Sequence, residues 1–336
     1  MTVSFVRTRP VPKATEVFST YWRFAFERQL IYFRRLSGHA PPWTADPVIE
    51  GHRFTNAYRA SDRVSQYLIN EVIPGGDGTP EDTFFRVMLF KFFNRISTWE
   101  LLNRHLSTVH WGDYSHGDVD QILTKALECE TRIYSAAYIM PSPNFGEGFK
   151  HRNHLRLLES MMADALPLRL SEAQSMEEAY RLLVAYPGLG PFLAFQYTID
   201  LNYTDLMSFS EMDFVVPGPG ASEGLSKCFE TGAGYSNSDL IRMTAEMAPE
   251  SFASLGITFP TLWGRPLQLI DYQNLYCEVG KYARAAHPEV LGDSHRTRIK
   301  QRFHATADRL TARFPMKWGL PREAVSADGV DIPYGV

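Results

Sequence analysis

An all-α fold is what this sequence predicts, and three observations predict it. Apolar residues recur at helical spacing along most of the chain, and no convincing period-2 run of β-formers occurs. Helix start signals precede the apolar runs: Thr79-Pro80-Glu81-Asp82 supplies a capping hydroxyl, a proline at the first helical position and acids in the first turn. Ser175 and Glu178 have the spacing of a capping box. The runs also end at turn signals, as at Ser37-Gly38 and Pro74-Gly75-Gly76.

The elements follow in order. A helix over 14–36 carries Phe18, Tyr21, Trp22, Phe26, Ile31 and Phe33. "PPWTADPVIEGHRFTN" reads as an extended, proline-rich connector, and "AYRASDRVSQYLINEVI" as one helix over 57–73. The helix that Thr79 starts runs through Phe84, Phe85, Met88, Leu89 and Phe92. Further helices are expected near 118–140, 151–165 and 175–186, and after a central hairpin near 238–247, 267–286 and 296–314. "ETGAGYSNSD" reads as a surface loop. No repeat, low-complexity tract or clean boundary appears. The expectation is therefore one all-α unit over 1–336, with an N-terminal helical part at about 14–165 and a hairpin-containing part at about 175–315.

Composition narrows the function classes. With 44% hydrophobic and 21% charged residues the chain is globular rather than disordered, and 336 residues suffice for a large core. A net charge of -4 gives no global case for nucleic-acid binding, so any such case rests on local basic faces. Cys129, Cys228 and Cys277 are far apart with no CxxC, which argues against a thiolate metal cage. The odd cysteine count, no secretory leader and no apolar run near the ~18 residues of a membrane span lead to the expectation of a soluble, cytoplasmic protein with no membrane partner.

Three segments could carry chemistry. Arg59, Arg63, Gln66 and Asn70 fall at i, i+4, i+7 and i+11 of one expected helix, and Lys91, Asn94, Arg95 and Thr98 line a stripe of the next. Such stripes are commonly solvated faces, but these mix cations with amides, which suits phosphate oxygens. In "DYQNLYCEVGKYAR", Asn274, Glu278 and Lys281 share a face; the last two read either as a salt bridge or as an acid/base pair. Cys277 beside them fits a small buried residue better than a nucleophile.

The third segment is "AYPGLGPFLAFQYTIDLNYTDLMSFSEMD". Gly188 and Gly190 permit a positive-φ turn between two helices, and the second helix then offers free N–H groups to an anion; a plain tight turn is the other reading. Asp213 follows Gly190 by 23 residues, and a second glycine-rich turn with Gly218 and Gly220 comes next. The tail "HRTRIKQRFH" places Arg296, Arg298, Lys300 and Arg302 together, as a DNA-backbone patch or as a basic surface helix.

"YPGLGPFLAFQ" followed by "FSEMDFVV" resembles the hairpin and acid of helix-hairpin-helix DNA glycosylases. That resemblance implies a glycosylase-like multi-helix fold, hairpin glycines at Gly188 and Gly190, and an active-site acid at Asp213. The lysine that many members carry is absent, with Phe192 in its place. A resemblance over more of the chain rests on "FTNAYRASDRVSQYLI", "MLFKFFNRISTWELL" and "IDYQNLYCEVGKYAR", which are similar to the alpha-glutamyl/putrescinyl thymine pyrophosphorylases of phage thymine hypermodification. The same helical domain accompanies 5-hydroxymethyluracil DNA kinases, but no GxxxxGK[ST] stretch occurs here.

The resemblance implies a phage-encoded enzyme working in the bacterial cytoplasm on double-stranded DNA with modified thymine. An amine or amino acid would displace pyrophosphate from 5-pyrophosphomethyl-deoxyuridine. Arg59, Arg63, Lys91, Arg95, Asn274 and Lys281 would meet the pyrophosphate, Asp213 or Glu278 would serve as base, and Gly188, Gly190, Gly218, Gly220, Arg296, Arg298 and Lys300 would hold DNA. A flipped base would stack on Tyr58, Phe93 or Tyr276. Mg²⁺ is the cation such chemistry allows, with no dedicated ligand cluster in the sequence. The alternatives are excision of a modified thymine and a non-catalytic DNA-binding module.

Overall fold

The computed structural model describes residues 12–230, 234–306, 310 and 312–320, and these residues form thirteen α-helices and no strand. The helices are α1 (Glu16–Leu36), α2 (Pro47–Gly51), α3 (Arg63–Tyr67), α4 (Pro80–Phe93), α5 (Ile96–His105), α6 (His116–Glu128) and α7 (Lys150–Ala163). They continue as α8 (Leu166–Ser171), α9 (Met176–Val184), α10 (Pro191–Leu201), α11 (Pro219–Cys228), α12 (Asn237–Ser254) and α13 (Leu269–Ala286). The all-α expectation holds. Among the described residues, no helix is long and apolar enough to cross a membrane.

The expected start signals do what their chemistry requires. Thr79 accepts from the Asp82 amide at 3.2 Å and Pro80 opens α4. Ser175 accepts from the Glu178 amide at 3.1 Å, while Glu178 turns back to the Gln174 amide at 2.7 Å. Ser236, in the expected surface loop, forms a full capping box with Asp239 at the start of α12.

Two compact units divide the contacts, and neither is contiguous in sequence. Of the described residues, the first comprises those of 12–59 and 217–312, and the second those of 60–216 and 313–320. In the first, α13 is the central helix, packed against α1, α2, α11 and α12. Glycines set the α11–α13 crossing: a Cβ on Gly224 would lie 1.9 Å from the Tyr276 carbonyl oxygen, and one on Gly280 would lie 2.8 Å from the Gly224 Cα. The two backbones approach so closely that no side chain fits between them. Tyr21 of α1 meets Tyr276 of α13 with ring centroids 4.5 Å apart.

In the second unit α4 is central, packed against α5, α7, α8 and α10. Phe84, Phe85, Val87, Met88, Leu89, Phe90, Phe92 and Phe93 are each no more than 2% exposed, so the helix is apolar nearly all round, as a buried helix must be.

Three expected helices differ. The 57–73 segment breaks into a 3₁₀ turn at Arg59–Ser61, α3, and a π turn at Leu68–Val72. Asp62 stands extended at φ -71°, ψ 148°, which separates the first two pieces. The 118–140 helix stops at Glu128, and Glu130 turns left-handed at φ 55°. The described residues of 296–306 are not helical. Their backbone is spent elsewhere: the Arg53 amide donates to Gln301 O at 3.1 Å and the Phe303 amide to Gly51 O at 3.2 Å.

Candidate functional site

The turn between α9 and α10 sets the geometry of the second unit's polar residues. Gly188 adopts φ +82°, the left-handed conformation that favours glycine, while a Cβ there would make only ordinary contacts with Met140, Pro141 and Pro143. Gly190 does not share that conformation. It is the N-cap of α10 at φ -69°, ψ 168°, ordinary extended backbone, and a Cβ there would meet nothing within 4 Å. Gly218 is likewise an extended N-cap, at φ -81°, ψ 168°. Gly220 is the second residue of α11, where a Cβ would fall 2.3 Å from the Cys277 sulfur, so its need for glycine is helix packing.

Asp213 is exposed, in a turn closed by its amide donating to Ser210 O at 3.2 Å. The next residue anchors it: the Phe214 ring lies 5.1 Å from Tyr180 of α9 and 5.9 Å from Phe195 of α10. The carboxylate is thus carried on the same helix pair as the glycine turn.

The two expected cation stripes are not stripes. Asn94 ends α4 in a left-handed conformation at φ 47°, so Lys91 and Arg95 belong to different elements. Arg63 is exposed and Arg95 half-buried, its Nε donating to Ser97 at 2.8 Å. Lys91 is only 3% exposed. Its ammonium donates to Asn94 Oδ1 at 2.7 Å, pairs with Asp200 of α10 at 3.1 Å and lies 5.3 Å from the Tyr138 ring centroid. Tyr138, left-handed at φ 54°, stacks parallel on Phe192 with centroids 5.7 Å apart and planes 8° apart. Lys91 is thus held by Asn94 and by Asp200 near the end of α10, with the Tyr138 ring beside it, while Tyr138 in turn stacks on Phe192 at the start of that helix.

The loop carrying Tyr138 is pinned on every side. Thr98 donates to Ile133 O at 2.8 Å, the Ser135 amide to Phe93 O at 2.9 Å, and Asn94 Nδ2 to Ala137 O at 3.3 Å. His154, fully buried, completes it. Its Nε2 meets Pro141 O at 3.0 Å and its Nδ1 meets the Tyr134 hydroxyl at 2.8 Å. Burial pushes the imidazole down to about 4, so it is neutral: Nε2–H donates to the carbonyl and Nδ1 accepts from the phenol.

In the first unit the α13 residues hold backbone. Glu278 accepts from the Thr55 amide at 3.0 Å and from Lys281 at 2.7 Å, and Lys281 also donates to Arg53 O at 2.8 Å. The salt-bridge reading of this pair is what the structure contains, and the pair straps residues 53–55 to α13. Asn274, buried, lies one turn before Glu278 on that helix. Arg59 is buried with its amide donating to Asp271 at 2.8 Å. Asp271 also accepts from the Gln268 amide at 2.9 Å, and desolvation lifts its carboxyl to about 6. Burial pushes the Cys277 thiol up to about 12, away from nucleophile chemistry. Arg296, Arg298 and Lys300 are exposed on the extended segment beside 51–53.

The expected stacking residues are corrected. Tyr58, Phe93 and Tyr276 are at most 2% exposed and serve the core. Asp200, Tyr138 and Phe192 were not singled out as a group, although Gln196 and Asp200 are conspicuous in sequence as polar residues one turn apart within the apolar "PFLAFQYTIDL". For a metal, Glu16, His287 and Glu289 bring one ligand atom each within 4.8 Å of one another among the described residues. An imidazole among exposed carboxylates does not suit Mg²⁺, which prefers oxygen ligands.

The sequence profile of the family described as "5-hmdU DNA kinase, helical domain" matches residues 15–292, which run from the start of α1 past the end of α13. A 5-hmdU DNA kinase of Bacillus phage SP10 is 24% identical over 301 residues, 82% of this chain and 46% of that protein. The chain thus spans about half the length of this curated relative. No solved structure matches significantly. With most of its length inside that profile, the chain belongs to the family of 5-hmdU DNA kinase helical domains.

Proposed function

We propose that this chain modifies thymine in DNA by displacing pyrophosphate from 5-pyrophosphomethyl-deoxyuridine with an amine or amino acid. One observation carries the reading. Residues 15–292 match the helical domain of a kinase named for 5-hydroxymethyldeoxyuridine in DNA, which supports a modified thymine in DNA as the substrate class.

The step balances without a further reactant. The amine lone pair forms a C–N bond to the exocyclic methylene, the C–O bond breaks, and its electrons leave on pyrophosphate. The proton lost by the new ammonium needs a base. Asp213, exposed next to a Phe214 that packs on α9 and α10, fits that role better than Glu278, which is only 7% exposed. Arg63 and Arg95 are the accessible members of the expected cation set for the leaving group. Within the second unit the α9–α10 turn supplies contacts to the DNA backbone.

The test is to incubate the protein with duplex DNA carrying 5-pyrophosphomethyluracil and a mixture of amines and amino acids, then digest to nucleosides for mass spectrometry. A new N-linked nucleoside and released pyrophosphate are expected. Abasic sites would mean excision, and unchanged DNA with a gel shift would mean a reader; either outcome rejects transfer. Asp213→Asn should lower the rate by ~10²-fold or more at unchanged or tighter DNA binding.

A further inference from the structure

The imidazole among exposed carboxylates in the first unit is a poor set for Mg²⁺ and a good one for a softer divalent cation. We propose that Glu16, His287 and Glu289 bind Zn²⁺, and that the ion clips the start of α1 to the end of α13. The site is structural and independent of the transfer reaction.

The spacing of the ligand atoms is the first support. His287 Nδ1 lies 3.5 Å from Glu16 Oε1 and 3.5 Å from Glu289 Oε1, and all three atoms fall within 4.8 Å of one another. A direct ion pair would draw the nitrogen to about 2.8 Å from one of the oxygens. Ligand atoms each about 2.0–2.1 Å from a tetrahedral Zn²⁺ stand about 3.4 Å apart, which matches the two distances from the nitrogen. Three protein ligands leave the fourth position to water.

The far side of the ring is the second support. His287 Nε2 meets the Thr20 hydroxyl at 2.8 Å. With Nε2 protonated and donating to Thr20 Oγ1, Nδ1 presents its lone pair on the side of the carboxylates, the tautomer a metal ligand needs. Thr20 lies one turn beyond Glu16 on α1, so one helix face supplies a ligand and the group that orients another.

The backbone fixes all three ligands. The Thr15 amide donates to Cys228 O at 2.9 Å, which anchors the chain where it enters α1 at Glu16. His287 is the C-cap of α13, its amide donating to Ala283 O at 2.9 Å. The Val290 amide donates to His287 O at 3.1 Å and closes the turn that holds Glu289. Two carboxylates balance the charge of a divalent ion, and the carbonyl end of α13 favours a cation.

The test is calorimetric titration of the untagged full chain, freed of metal by chelator and dialysis, with ZnCl₂ and with MgCl₂. One Zn²⁺ should bind with a Kd of about 10 µM or tighter, weaker than a four-ligand structural site, and Mg²⁺ should not bind in that range. Glu16→Gln and His287→Gln should each weaken zinc binding by about a hundredfold; Thr20→Val, which keeps the ligands and loses the orienting partner, should weaken it by about tenfold. Glu16 is exposed, so its variant keeps the fold and decides the matter if His287→Gln does not. At 100 times its Kd, zinc should raise the Tm of the wild type by about 5 °C and leave that of His287→Gln unchanged. The Co²⁺ form should show the visible bands of a four-coordinate ion without thiolate absorption, which separates this site from one built on a cysteine. No zinc binding in that range, or thiolate absorption from the cobalt form, overturns the proposal. Equal binding by wild type, Glu16→Gln and His287→Gln would mean an adventitious ion only and overturns it too.

Discussion

Lys91 shows how a residue's meaning changes once its surroundings are known. In sequence it stands on an amide-and-cation stripe; in the fold it is 3% exposed and paired with an Asp200 that is fully buried. Removing one partner leaves the other charge buried without compensation. Lys91→Ala should therefore cost about 3 kcal/mol or more in urea denaturation, while Lys91→Met combined with Asp200→Leu should recover most of that loss. Arg63→Ala, at an exposed position, should change stability by less than ~0.5 kcal/mol. If Lys91→Ala melted like the wild type, the buried pair would not be the state in solution. The spacing that suggested the stripe was read correctly; what it lacked was Asn94, whose left-handed backbone ends the helix inside the motif. Asn is one of the few residues that tolerate that conformation, but nothing local announces when it will be used.

At the level of elements, the glycines divide into those the backbone needs and those it does not. Gly224→Ala drives a methyl into the Tyr276 carbonyl and should cost about 3 kcal/mol or more, with separation of α11 from α13. Gly188→Ala, at φ +82°, should cost about 1–2 kcal/mol, and Gly190→Ala should stay within ~0.5 kcal/mol of the wild type. Thermal melts of the three variants rank them directly, and a severe loss at Gly190 would contradict its extended geometry. The helix starts at Thr79 and Ser175 were legible because their signal is local, each capping within four residues of itself, whereas the Ser236 cap lay inside the segment expected as a surface loop. The failures were tertiary. Residues 296–306 have helix-compatible composition but spend their amides and carbonyls on 51–53, a partner some 250 residues away in sequence. Gly220 looked like part of an anion turn because a close helix crossing and a phosphate loop ask for the same residue.

For the whole molecule, the two units should answer acidification in opposite directions. His154 belongs to the second unit and its folded pKa, about 4, lies below the ordinary imidazole value. The unfolded state then binds the proton first, so stability is full above about pH 6.5 and falls by roughly 2 kcal/mol on going to pH 5. Asp271 belongs to the first unit and its folded pKa is about 6, above the ordinary carboxyl value. That contribution is full below about pH 4 and is lost as pH rises through 6, so the same change to pH 5 adds about 1 kcal/mol. Native-state hydrogen exchange at pH 7 and pH 5, corrected for intrinsic rates, should show α7 losing protection and α13 gaining it. A uniform change in both helices would reject these assignments. The division into units was itself not legible, because neither follows the order of the chain and no linker composition marks residue 59 or 217.

That interleaving has a consequence for synthesis. The second unit is nearly all contained in one uninterrupted stretch, 60–216, and can be completed while the ribosome is still at work. The first unit cannot. Tyr21 and Phe24 of α1 leave the exit tunnel early, but the helix they pack against, α13, emerges more than two hundred residues later. At the usual pace of translation α1 waits on the order of ten seconds or more with its apolar side unsatisfied. Over that interval α1 is a natural client for a holdase, and slowing translation after residue 216 should raise aggregation of nascent chains far more than slowing it before residue 60.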